Sequence, residues 1–309
     1  MKRWKHTSML LVLMAGLLLA SCIRDDLQPC PPLSVRIGIK DINYFNIDAV
    51  ENVTGLDHRL DENLPFRSYI QKLFYVLYDI DRQQTVSVQH LHEVQGDARL
   101  ATAYLPEDLP FGRYVLLVWA NIESEEGILA DGKLGTYSLH HNNVEGYDVY
   151  MTCDTLLYDE WNYDYTVRLE RIKGKLLIEG VNLPTDINWS RKAITNLCGK
   201  VDYHFSYEPN STEYVVVESD WSDHPSSRVV TDTYLSPTAV NGEKSTVYVR
   251  FFDDPSMSVP VTVPANVDIT MRRNEITVLR YVYDADSGGF VISTWDDDSW
   301  QVIHDMGLE

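Results

Sequence analysis

The stretch Leu33-Ser34-Val35-Arg36-Ile37-Gly38-Ile39-Lys40 decides how this chain folds. Leu33, Val35, Ile37 and Ile39 fall on one side of an extended backbone, and Ser34, Arg36, Gly38 and Lys40 on the other. A period of two means a β-strand with one face on a core. The rhythm returns where Tyr165, Val167 and Leu169 alternate with Thr166, Arg168 and Glu170, and again at Leu176 and Ile178. Strand-like runs also occupy residues 69–79, 85–92, 101–105, 115–121, 201–207, 214–217, 228–234, 246–252, 259–263, 276–283 and 290–295. Short strands at this spacing, with turn residues between them, predict an all-β sandwich fold. Two tandem sandwiches are expected, over residues 33–160 and 161–309, with the acidic, aromatic residues 154–163 at their boundary.

Four stretches depart from the rhythm. Residues 41–65 show no sustained period and read as a long loop, an excursion unusual inside a compact domain. Residues 184–198 alone carry weak helical character. Residues 73–78 and 114–119 are apolar on both faces, whereas a sandwich strand normally shows water one of them. A loop, the neighbouring domain or another protein must cover the outer side. The turn Leu109-Pro110-Phe111-Gly112-Arg113-Tyr114 leads into the second of these runs, with proline fixing one φ and glycine permitting a positive one.

Toward the N-terminus, Lys2, Arg3 and Lys5 precede an apolar run from Met9 to Ala20. A basic flank, a short apolar core and small residues at a cut make a secretory signal peptide. The run is 12 residues, short of the ~20 that a membrane-spanning helix needs. It ends in Leu19-Ala20-Ser21-Cys22, which resembles the lipobox of bacterial lipoprotein precursors. That resemblance implies a diacylglyceryl thioether on Cys22, cleavage after Ser21 and acylation of the new amino terminus. Residues 1–21 are then the signal peptide, and residues 22–32, rich in proline, a lipidated tether. Asp25 and Asp26 resemble the acidic export signal that sends some lipoproteins to the outer face of the outer membrane.

The intact chain carries a formal charge of −20, and loss of residues 1–21 removes three basic groups and no acid, leaving −23. Such a surface repels phosphate backbones and anionic lipid, so nucleic-acid binding and electrostatic membrane docking are disfavoured. Attachment must come from acyl chains, at ~0.8 kcal/mol per buried CH₂. With Cys22 acylated, Cys30, Cys153 and Cys198 allow at most one intrachain bridge. A Cys30–Cys153 pair and three reduced thiols are both open.

Chemistry-bearing motifs are absent: no GxSxG, HExxH, P-loop, GxGxxG or CxxC occurs in the mature sequence. Strict alternation would put His90 and His92 on one face of a strand, but no third ligand is near. His140-His141 is a loop pair, and Asp296-Asp297-Asp298 lacks the spacing of a calcium loop. The expectation is a non-enzyme with no catalytic residue, no metal and no cofactor.

A family resemblance runs from Cys22 to about residue 180. Asp25-Asp26-Leu27-Gln28-Pro29-Cys30-Pro31 after the lipobox, Leu73–Asp79 with its closing turn, Pro110–Ala120 with its tyrosine and tryptophan, and Leu169–Leu176 occur in the order seen in FimB-type fimbrial anchor lipoproteins. Tyr78 replaces a phenylalanine of the pattern, and Gly174 a small alanine. The resemblance implies two transthyretin-like sandwiches at the base of a type V pilus. The chain would sit lipid-anchored in the cell outer membrane, exposed at the surface, and bind the first stalk subunit (fimbrillin) in cell adhesion. The alternative is a surface β-sandwich lipoprotein that binds glycan or associates with a transporter.

In stalk subunits the resemblance implies that removal of the first strand opens a groove for a partner's strand. Here residues 33–40 lie close behind the lipidated cysteine, so cutting them away would release the chain from its membrane. The free segment is therefore expected at the other end, in residues 299–309, which contact the first stalk subunit or are donated to it, since Trp300, Val302 and Ile303 are too apolar for an idle tail.

Overall fold

The computed structural model describes residues 31–130, 132–209, 214–239, 243–296 and 299–304. In chain order the elements of the first half are β1 (Ser34–Ile39), α1 (Ile47–Thr54), β2 (Lys72–Asp79), β3 (Gln84–Glu93), β4 (Ala101–Ala103), β5 (Gly112–Ala120), β6 (Leu129–Ala130), β7 (Lys133–Leu134), β8 (Thr136–Ser138), β9 (Tyr150–Tyr158) and β10 (Asp164–Arg171). There follow β11 (Gly174–Val181), β12 (Trp189–Ile194), β13 (Cys198–Asp202), β14 (Tyr207–Pro209), β15 (Val215–Asp220) and β16 (Arg228–Leu235). The last are β17 (Ser245–Phe252), β18 (Val267–Ile269), β19 (Ile276–Asp284), β20 (Gly289–Asp296) and β21 (Ser299–His304). The protein is all-β, as the period of two requires.

The seven-stranded sheet runs β3-β2-β5-β9-β10-β1-β4 and folds back on itself around one core. β1 supplies Val35 and Ile37, and the facing strands supply Leu73, Tyr75, Leu77, Leu116 and Val118, all buried. β10 makes the turn between the layers. Ser34 to Ile39 pair with it in parallel, while Glu170 and Arg171 pair antiparallel with β9. The strand expected to open the second half therefore lies in the sheet of the first.

The second core lies between the five-stranded sheet β16-β11-β19-β20-β21 and the four-stranded sheet β15-β12-β17-β18. Leu176, Ile178, Leu279 and Ile292 face Ile194, Val215, Val247 and Val249 across it. Among the described residues, both cores belong to one compact unit that starts at Leu33.

The doubly apolar strands are explained within the chain. Phe74, Val76, Leu117, Trp119 and Met151 turn away from the first core into a cluster with Ile122, Ile128, Tyr137, Leu139, Cys198 and Val201. The cover is thus both a loop and a piece of the second half, since β8 of residues 123–146 pairs with β13. Trp119 is 1% exposed, with the Tyr137 ring 5.1 Å away.

Residues 41–65 hold a helix rather than only a loop. Ile47 and Val50 of α1 are buried against Leu177, Ile276, Val278 and Trp295, on the outer face of the five-stranded sheet. Asn46 locks its start, its amide donating to the Ile276 carbonyl at 2.8 Å and accepting the Ile276 N–H at 2.9 Å. Eight residues with two apolar anchors are too few to show a helical period, and packing supplies the stability instead.

Other departures have local causes. β9 runs through residues 154–158 because Leu156 and Tyr158 are buried, so the acidic stretch is no boundary there. Residues 184–198 contain β12 instead of a helix; its inward positions are Ser190, Lys192 and Ile194, and a buried lysine disguises the alternation. Lys192 Nζ donates to Ser219 Oγ and Thr231 Oγ1 at 2.8 and 2.9 Å. Residues 259–263 form no strand beyond the Phe251–Thr262 bridge, since Pro260 and Pro264 lack the N–H a ladder needs. Gly112 begins β5 without taking a positive φ, and the turn is held by the Tyr114 hydroxyl donating to the Pro110 carbonyl at 2.6 Å.

Candidate functional site

The lipobox residues Leu19, Ala20, Ser21 and Cys22, the acidic Asp25 and Asp26, and Cys30 lie outside the described residues. Cys153 and Cys198 form no bridge with each other. Burial pushes the Cys153 thiol up to about 11, and the Cys198 thiol lies 3.7 Å from the Thr238 carbonyl.

The histidines do not converge. β3 takes an extra residue between Gln89 and His92, so strict alternation fails there. His90 Nδ1 meets Glu125 Oε2 at 2.8 Å, while His92 lies edge-on to Tyr75. His140 is buried: its Nδ1 sits 3.0 Å from the Val144 carbonyl, and its Nε2 accepts the Ser236 N–H at 3.1 Å. His141 is exposed.

What the fold assembles is a seam in the second sandwich. β18 ends the four-stranded sheet and β21 the five-stranded one, so two strand edges flank an open cleft of about 670 Å³. Ile269, Ile276 and Trp295 are its buried apolar lining, and Lys244, Asp268, Arg272 and Glu275 its charged rim. Phe45 stands at the edge, 83% exposed, and Val302 and Ile303 line the β21 side, both exposed.

The three expected contact residues divide. Trp300 is half-buried against the α1 cluster, under the Arg280 guanidinium at 4.0 Å from its ring centroid. Arg280 is fixed in turn by the buried Glu179 carboxylate at 2.5 Å, which Arg228 also reaches at 2.8 Å. Val302 pairs with Ser293, but His304 pairs with Ile292, so Ile303 is the extra residue of a bulge. The bulge breaks the alternation and turns two successive apolar side chains outward. Sequence reading missed Phe45, whose only signal was an aromatic residue in a stretch without a period.

No protein-family model and no curated protein matches this sequence. Solved structures do match in fold. A putative adhesin from Bacteroides thetaiotaomicron superposes with a TM-score of 0.52 at 14% identity, over 90% of this chain and 100% of its own. A putative adhesin from Bacteroides ovatus gives 0.51 at 15%, over 92% and 98%. The fimbrial anchor protein Mfa2 from Porphyromonas gingivalis gives 0.44 at 14%, over 88% and 99%, a looser likeness. The first two show that this chain has their fold.

Proposed function

We propose that this protein is a non-enzymatic outer-membrane lipoprotein of a fimbrial or adhesion assembly, held by acyl chains on Cys22 and contacting a fimbrial stalk subunit through the seam between β18 and β21. One contrast carries the reading. The first strand of the first sandwich is paired on both sides, by β10 and β4, whereas the second sandwich keeps two strand edges beside a cleft with an apolar floor and a charged rim. A partner's extended segment along β21 would gain backbone hydrogen bonds from the edge and side-chain register from the cleft. Contact is favoured over donation, because β21 is zipped to β20 and Trp300 is packed. The fold shared with putative adhesins agrees with a place at the cell surface. The test is purification of the acylated protein from its native outer membrane. A fimbrial subunit should co-purify, and recovery of the intact protein without one overturns the reading.

A further inference from the structure

A second cleft, of about 770 Å³, lies beside β1 and is lined by Lys40, Arg59, Arg99 and Arg168, with Glu62 the one carboxylate among the described lining residues. The chain carries a formal charge of −20, so an excess of cations along one cleft stands out against it. Two of the cations are committed. Lys40 meets Glu170 at 3.0 Å, and Arg59 meets Asp48 at 2.9 Å and Glu62 at 2.5 Å. Among the described residues Arg99 hydrogen-bonds only to the Glu62 carbonyl, at 3.3 Å, and Arg168 stands exposed on β10 with no carboxylate partner.

The walls are braced before any ligand arrives. The Asn43 side chain accepts the Leu60 N–H at 2.7 Å and donates to Glu62 Oε1 at 3.1 Å, and the Tyr69 hydroxyl donates to the Asp61 carbonyl. Phe45, 83% exposed, and the half-buried Tyr69 add aromatic surface to the same cleft. The volume falls in the range of small-ligand sites and is far more than a lone inorganic anion fills.

From this combination we infer that the cleft binds an acidic saccharide. Guanidinium forks match a planar carboxylate with two parallel hydrogen bonds. An aromatic face packs against the C–H face of a sugar ring while the ring's hydroxyls stay wet. An acidic peptide would answer the arginines but make less use of Phe45. The inference goes beyond the subunit-contact reading and does not depend on it.

The test is calorimetric titration of the full lipoprotein in detergent with trigalacturonate, with neutral maltotriose and with a glutamate tripeptide. Trigalacturonate should bind saturably, and the other two at least about tenfold more weakly, as the loss of a charged hydrogen bond or of the ring contact predicts. Arg99→Gln with Arg168→Gln should weaken trigalacturonate by about tenfold or more at unchanged melting temperature. These two arginines do not line the seam, so subunit capture should survive in that variant. Phe45→Ala should weaken the sugar and leave the peptide as it was. The inference is overturned by absent binding, by binding indifferent to the arginine pair, or by a peptide that binds as tightly as the sugar.

Discussion

The guanidinium of Arg171 lies over the ring of Tyr44, 3.8 Å from its centroid, where the two halves of the chain meet. Arg171 is 2% exposed. Its Nε donates to Asp148 at 3.0 Å, Nη1 to Asn274 Oδ1 at 2.6 Å, and Nη2 to the Ile42 carbonyl at 3.1 Å and to the Tyr150 hydroxyl. One side chain thus ties the segment after β1, the start of β9 and the loop before β19.

Arg171→Met should destabilise the fold by about 3–5 kcal/mol, because it strands Asp148 beside a buried, polar-lined space. Arg171→Lys should recover little of that loss, since a point charge cannot reproduce the flat fork over Tyr44. Urea denaturation of the three proteins measures both; a lysine variant as stable as wild type would remove the fork from the account.

Trp119→Ala should cost about 3–5 kcal/mol, as large core truncations do. Its outer side is covered by Tyr137 and the β8–β13 pair, so the loss is one of folding and not of a surface contact. An unchanged melting temperature with lost subunit capture would contradict this.

His140 gives the fold an acid sensitivity. Burial, aided by the nearby Lys173 charge, pushes its pKa from 6.5 to about 3, so the folded state holds the neutral ring while the unfolded chain takes up a proton. Stability from this residue is complete above about pH 6.5 and is lost progressively as pH falls toward 3. Glu145, pushed up by burial to about 7, acts in the opposite sense between 4.5 and 7. The difference between wild type and His140→Gln isolates the ring: the stability gap between pH 7 and pH 5 should be more adverse in wild type.

Val302→Asp combined with Ile303→Asp should abolish capture of a fimbrial subunit while shifting the melting temperature little, since both side chains are exposed and neither fills the core. Fibres retained at wild-type levels on such cells would move the contact away from the β21 edge.

Cys22→Ala should leave the protein unprocessed or released into the medium, with no incorporation of radiolabelled palmitate. Label entering that variant would show acylation elsewhere.

The alternation of residues 33–40 and 165–169 determined by itself that these are strands with one buried face, and β1 and β10 are that, paired to each other in parallel. The double apolarity of 73–78 and 114–119 likewise announced a cover without naming it. Only the tertiary structure chose among loop, neighbour and partner, by folding Ile122, Tyr137 and Val201 over Trp119. It also turned a stretch without a period into α1, put a lysine on the inward face of β12, and gathered Arg99 and Arg168 with Phe45 beside β1. The physical reason is common to all of these. Local sequence fixes which side of a segment avoids water, whereas what covers that side is settled by contacts between residues far apart in the chain, whose pairing leaves no period to read.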